Sequence, residues 1–246
     1  MLFAERPLTF QAIGAALSWG WRTANATRAV SIAYAGIFTT IGAVIMGAML
    51  LAGRAPFVIM AAGGFMLVAP AILAGFFAVA RGIRAGASVT FTTLTEGFSR
   101  ASAAIWAIAL ICALLFMIFI TDAAILYAYM VGDDPIFPAD FISVGADIAS
   151  FVFWGLLSGA VIGFLLFAVS AFSVPLLCER RSNLVGAVVT SVRIVMRHFI
   201  AAMGWALLLS ATIIGSILLL PLFPLVMPVM AYASYELYKT VLPAST

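Results

Sequence analysis

Six apolar stretches of membrane-crossing length lie near residues 30–52, 57–80, 103–130, 149–177, 199–220 and 222–240. They constrain this chain to an all-helical membrane fold. A helix needs about 20 apolar residues to cross a bilayer core, so six of them take roughly half of the chain and leave no room for a separate soluble domain. Charged residues are only 9% of the sequence. A soluble domain carries roughly a quarter, so a water-facing shell cannot be built here. Gly53-Arg54-Ala55-Pro56 supplies a tight turn between the first two spans. Pro221 and Pro224 break the run from Phe199 to Tyr238 into a hairpin, because proline in a helix removes a hydrogen bond and clashes with the preceding turn.

The charges give the chain an orientation. Eleven of its twelve Lys and Arg residues, from Arg6 and Arg22 through Arg81, Arg84, Arg180 and Arg181 to Lys239, fall in or beside segments that share one side. Arg54 alone lies opposite, with Asp133, Asp134, Asp140 and Asp147 in one loop that has no basic residue. Loops kept in the cytoplasm carry the excess of Lys and Arg, which predicts cytoplasmic N- and C-termini. The net charge of +3 is scattered along membrane flanks, so the expected partner is anionic headgroups rather than nucleic acid. The first residues lack the basic and apolar regions of a signal peptide, and the C-terminus has no prenylation cysteine. Cys112 and Cys178 sit at different depths, so neither a disulfide nor a metal site is expected of them.

Three amphipathic segments fall between spans on the cytoplasmic side. In 8–27, Phe10, Ile13, Leu17, Trp21 and Ala24 recur at helical spacing. In 88–101, Phe91, Leu94 and Phe98 make a stripe, and Glu96 with Arg100 is an i,i+4 pair. In 183–198, Leu184, Val188, Val192 and Val195 line one face, and Gly186, Thr190, Arg193 and Arg197 the other. Ser88 and Ser182 are the expected N-caps. A surface helix followed by two membrane helices thus recurs, in units of 8–84, 88–181 and 183–241. Pro70 and Pro228 fall in the second spans of the first and third units, with Arg81 and Lys239 each eleven residues later. Either the units are an internal repeat or three apolar hairpins look alike.

Few residues stand out as candidate sites. Gly155, Gly159 and Gly163 stay on one helix face and let another backbone approach closely in lipid, either inside the monomer or from a partner chain. Ala71, Gly75 and Ala78 make a weaker small-residue face in the second span. Asp122 lies inside an apolar stretch, where an ionisable group is expensive and often functional; reaching the outer interface beside Tyr127 and Tyr129 is the simpler reading. Glu236 is one turn from Lys239, which suggests an i,i+3 ion pair. Tyr232, Tyr235 and Tyr238 form one edge of the last span, read as part of an interface belt rather than a ligand cage. The acidic loop 132–140 lacks the ligand spacing of a calcium loop. His198 is the only histidine and cannot by itself supply a zinc site or both axial ligands of a haem. No hydrolase, nucleotide-binding or metalloprotease motif is present, so no catalytic residues, metal or cofactor are expected.

The stretch Phe172-Ser-Val-Pro-Leu-Leu-Cys-Glu-Arg180, followed by Ala187-Val-Val-Thr-Ser-Val-Arg193, resembles the hallmark of a bacterial family of predicted six-span inner-membrane proteins. That family is catalogued as a domain of unknown function. Trp19-Gly-Trp21, Pro70 and Tyr238-Lys239 extend the resemblance along nearly the whole chain. It implies architecture and an inner-membrane location, but no activity. The family's last span often carries two histidines one turn apart; the matching positions here are Tyr232 and Glu236.

The residues together favour a non-enzymatic accessory or scaffold subunit packed against other membrane proteins, motivated by sparse buried charge, 20 Phe and the glycine face. The alternative is a small-solute or ion transporter or channel, with helices broken at Pro70, Pro175 and Pro228 lining a midplane site. Few polar residues are available to line such a pathway.

Overall fold

The computed structural model describes residues 5–52, 55–99, 101–130 and 146–243. Among them the chain is helical throughout: α1 Phe10–Ala26, α2 Arg28–Leu51, α3 Ala55–Arg84, α4 Phe91–Ser99, α5 Ala103–Met130, α6 Ala146–Ser170, α7 Ser173–Cys178, α8 Leu184–Arg197, α9 Phe199–Leu218 and α10 Phe223–Val241. Six segments are long and apolar enough to cross a bilayer, as the hydropathy pattern predicts. The 132–140 loop, Arg54 and Arg100 lie outside the described residues.

Prolines set several boundaries. A 3-10 turn at Leu220–Leu222 separates α9 from α10, and Pro224 sits in the first turn of α10, where its missing N–H breaks no helical bond. The fourth span, expected as one continuous helix over 149–177, is broken at Ala171 and Phe172. Pro175 has no N–H to offer the Ala171 carbonyl, and its ring crowds that carbonyl, so the helix parts there. The hydroxyl of Ser191 in α8 enters the gap. It accepts from the Phe172 N–H at 3.1 Å and donates to the Ala168 carbonyl at 2.7 Å, bridging two groups that an unbroken helix would join to each other.

With α7 set aside as the broken end of the fourth span, the helices follow the order short, long, long three times, but the packing runs across the 8–84, 88–181 and 183–241 bounds. Helix α4 lies on α3, and α8 on α6 and α7, each at the end of the preceding segment, while α1 lies on α10 at the far end of the chain. Two of these crossings depend on glycine. A Cβ on Gly20 of α1 would stand 2.7 Å from the Val229 carbonyl oxygen and 2.8 Å from the Ala233 nitrogen of α10. One on Gly97 of α4 would stand 2.8 Å from the Ala74 carbonyl oxygen and 2.9 Å from the Gly75 Cα of α3. Gly75 and Ala78, on the small-residue face of the second span, therefore receive α4.

The short helices are consequently rotated from the faces expected. Helix α1 buries Ile13, Ala16, Gly20, Thr23 and Ala24 and leaves Phe10 and Trp21 exposed. Helix α8 buries Ala187, Thr190, Ser191, Ile194 and Val195, so Thr190 belongs to its inner face. Packing on a neighbouring helix, rather than apolarity alone, selects these faces. The caps also differ: Asn183, not Ser182, caps α8 by accepting from the Gly186 N–H at 2.9 Å, and Thr9 caps α1.

Helix α10 is the hub, contacting α1, α2, α3 and α9. Its tyrosines are core residues and not a belt: Tyr232, Tyr235 and Tyr238 are at most 1% exposed. A tyrosine can lie this deep because its hydroxyl finds a partner. That of Tyr232 meets Ser31 Oγ of α2 at 2.6 Å. Large apolar side chains such as Leu110, Leu114, Ile118, Leu156, Leu207 and Ile214 point outward from α5, α6 and α9, where a soluble protein would place polar ones.

Candidate functional site

The densest polar chemistry gathers where α3, α7 and α10 end. Glu179, directly after α7, accepts from the Tyr235 hydroxyl at 2.6 Å, the Tyr238 hydroxyl at 2.9 Å and Lys239 Nζ at 2.7 Å. The carboxylate side chain is 8% exposed. Spacings of three and four residues place Tyr235, Tyr238 and Lys239 on one flank of α10. The Lys239 ammonium also lies over both rings, 5.7 Å and 5.6 Å from their centroids. Beside them, the Arg181 guanidinium donates to the Tyr238 hydroxyl at 2.9 Å and to the Leu242 and Pro243 carbonyls, closing the end of α10.

Glu236 forms a second link. Arg84 at the end of α3 grips it through two nitrogens at 2.6–3.0 Å, and the same guanidinium stacks over Trp19 of α1. The expected i,i+3 pair with Lys239 does not form; Lys239 turns to Glu179 instead. A planar guanidinium matches a carboxylate with two parallel bonds, and the two acids thereby tie three helices together at one end. A third acid, Glu5, faces Arg197 at 3.3 Å and Arg193 at 3.9 Å.

Burial pushes the Glu179 carboxyl up, but the hydrogen bonds from Lys239, Tyr235 and Tyr238 and the charge of Lys239 outweigh it, holding the group below its ordinary value of 4.5. The folded state therefore binds this proton more weakly than the unfolded chain does. The stability contributed by the cluster is complete above 4.5 and is lost as pH falls through the depressed folded value. The difference in thermal stability between wild type and Glu179→Gln in detergent should be widest above 4.5 and shrink below it. A difference that grows on acidification would contradict this assignment.

A cavity of about 600 Å³ opens beside the cluster, between α3, α4 and α7. Its polar lining includes Arg81, Arg180, Thr92, Thr93, Glu96 and Glu179. Arg180 has φ +53°, the left-handed conformation. The Arg181 N–H bonds to the Leu176 carbonyl and the Arg180 N–H to that of Leu177, the pattern that ends a helix with a left-handed residue, usually glycine. A side chain there costs roughly 1–2 kcal/mol, because its Cβ crowds the following carbonyl oxygen.

The remaining candidates are dispersed. Asp122 lies in α5, away from the cluster, and its Oδ2 is buried with no hydrogen-bond partner among the described residues. Among the described residues, no other segment comes within 4 Å of where a Cβ on Gly155 or Gly163 of α6 would stand, and Gly159 meets the ring of Phe119. Tyr232 and Glu236, the positions matched to histidines, are held by different neighbours, Ser31 and Arg84. Sequence reasoning did not single out Glu179 and its tyrosine cage. The resemblance to the Phe172–Arg180 hallmark was the one signal pointing at that segment.

Residues 57–179 match the family model described as Predicted integral membrane protein (DUF2189). That stretch contains Pro70 and ends on Glu179, whereas Trp19–Trp21, Ala187–Arg193 and Tyr238–Lys239 fall outside it. No curated protein and no solved structure matches the chain.

Proposed function

Because the chain belongs to this family of predicted integral membrane proteins, we propose that it is a non-enzymatic accessory or scaffold subunit of a larger complex in the bacterial inner membrane. The observation that carries this reading is the unfilled notch on α6. Gly163 is exposed and Gly155 half-buried, and among the described residues none fills the space above either. Close backbone approach at small residues is a main source of helix adhesion in lipid, so the notch suits a helix of another subunit. The interior supports the same role: Glu179, Glu236 and Tyr232 are tied to partners within the chain.

Purification in mild detergent followed by mass spectrometry of co-eluting proteins tests this. A stoichiometric partner that is lost in Gly163→Leu, with the variant's own thermal stability unchanged, is the expected result. A chain that elutes alone, or a partner that survives the substitution, would overturn it. The orientation, with both termini cytoplasmic, follows from the Lys and Arg bias. Single cysteines at Asp140 and Ser182, in a background without Cys112 and Cys178, should label from opposite sides of intact membranes. Labelling from one side would remove that topology.

A second reading, a small-solute or ion transporter, is favoured by one observation, the buried Oδ2 of Asp122, which has no hydrogen-bond partner among the described residues. Ionisable groups within a span often mark an ion path. Flux into proteoliposomes that disappears in Asp122→Asn would support it.

A further inference from the structure

The cavity between α3, α4 and α7 has a chemistry that the rest of the bundle lacks. Elsewhere around the α10 cluster each cation is engaged: Lys239 with Glu179, Arg84 with Glu236 and Arg181 with Tyr238 and two carbonyls. Arg81 and Arg180, which both line the cavity, form no ion pair or side-chain hydrogen bond with any described residue. The two acids of the lining, Glu179 beside Arg180 and Glu96 on α4, are already occupied. Glu179 is neutralised by Lys239 and two tyrosine hydroxyls, and Glu96 is engaged with a partner of its own.

The other wall offers donors. Thr92 and Thr93 are in the first turn of α4 and line the cavity. Thr93 Oγ1 accepts from the Thr90 N–H, which leaves its O–H to donate. The first turn of a helix also presents unbonded N–H groups and positive potential. The cavity lies where the second span ends, at Arg84, which is the depth of phospholipid phosphates.

We infer that this cavity is a binding site for a phosphate-bearing anion, clamped between Arg81 and Arg180 and met by the Thr92 and Thr93 hydroxyls. The left-handed backbone of Arg180 strengthens the assignment. Glycine would end α7 at lower cost, so the fold tolerates strain at a position that carries a cation into the cavity. The phosphate has two sources, an anionic phospholipid headgroup of the inner leaflet or free phosphate from solution, and both present the same oxygens to the two guanidinium groups.

The test uses the full chain in mild detergent, with thermal stability followed while three probes are titrated: phosphatidylglycerol, phosphatidylcholine and inorganic phosphate. Stabilisation by phosphatidylglycerol but not by phosphatidylcholine identifies a lipid headgroup; stabilisation by inorganic phosphate alone identifies a soluble anion. In either case Arg81→Gln and Arg180→Gly should each raise the concentration needed by roughly fivefold, the value of one basic side chain near an anionic surface. Arg180→Gly is the cleaner variant, because relief of the left-handed arginine should leave the unliganded protein at least as stable as wild type. If no probe stabilises the wild type, or if both variants respond as it does, the two arginines serve only to complement the carbonyl ends of α3 and α7, and the site is refuted.

Discussion

Replacing Glu179 with Gln should lower the thermal midpoint of the purified protein by roughly 10 °C. The substitution keeps the shape of the side chain and removes its charge. Lys239, 20% exposed, would then keep its ammonium in a half-dry site with no counter-charge, and the Tyr235 and Tyr238 hydroxyls would lose an acceptor strong enough for both. Removing one partner of a buried pair costs about 3–5 kcal/mol, and in a chain of this size each kcal/mol moves the midpoint by about 2–4 °C. A second substitution separates charge from packing. Lys239→Met added to Glu179→Gln removes the stranded cation and should recover at least half of the loss, since replacing both members of a buried pair is often close to neutral. A single variant within about 2 °C of wild type, or a double variant worse than the sum of the two singles, would show that the cluster is not a stabilising lock.

Glu179 illustrates where reading from sequence stops. Its nearest charged neighbours in the chain are Arg180 and Arg181, yet its partners are 56, 59 and 60 residues away. Local spacing rules see i,i+3 and i,i+4 pairs, which is why Glu236 seemed matched to Lys239. The fold offered each a better partner on another helix. The tyrosines show a subtler limit. Their spacing does place Tyr232, Tyr235 and Tyr238 along one side of the last span, and what that side meets is decided by α10 lying at the centre of the bundle. An amphipathic ring suits a membrane interface and a hydrogen-bonded core equally well, so residue type does not choose between them.

The six spans were legible because hydropathy is a sum over about 20 residues and survives local exceptions. The break at Ala171 and Phe172 was foreshadowed by Pro175, but the residue that repairs it, Ser191, comes from another helix. Glycines show the same division. The regular ladder Gly155, Gly159, Gly163 is conspicuous in sequence and is barely used by the described residues. Gly20 stands in a less conspicuous series, Ala16, Gly20 and Ala24, on the buried face of α1, and Gly20 and Gly97 bring the backbone of a neighbouring helix within 2.9 Å of where a Cβ would stand. Spacing shows which face is smooth, whereas what packs on that face is decided by another helix.

Gly20→Ala should therefore destabilise the protein by about 1–3 kcal/mol, the usual range for overpacking a well-fitted contact, and lower the midpoint by roughly 5 °C. The new methyl would meet the Val229 carbonyl oxygen at 2.7 Å and the Ala233 nitrogen at 2.8 Å. These are backbone atoms of a packed helix, so no side chain can rotate aside, and α1 must lift from α10. Lifting α1 would strain what is fastened to it: Trp19 beneath Arg84, and the Arg6 N–H on the Val241 carbonyl. Helix propensity acts in the opposite direction, since alanine is favoured over glycine inside a helix by about 1 kcal/mol. Gly14→Ala isolates that term, because Gly14 is in the same helix and has nothing within 4 Å of its Cβ position. The two substitutions, chemically identical and six residues apart, should shift the midpoint in opposite directions, Gly14→Ala upward and Gly20→Ala downward. Shifts of the same sign and size in both would mean that α1 does not pack on α10 through Gly20, and the closed round of short helices on long ones would lose the contact that completes it.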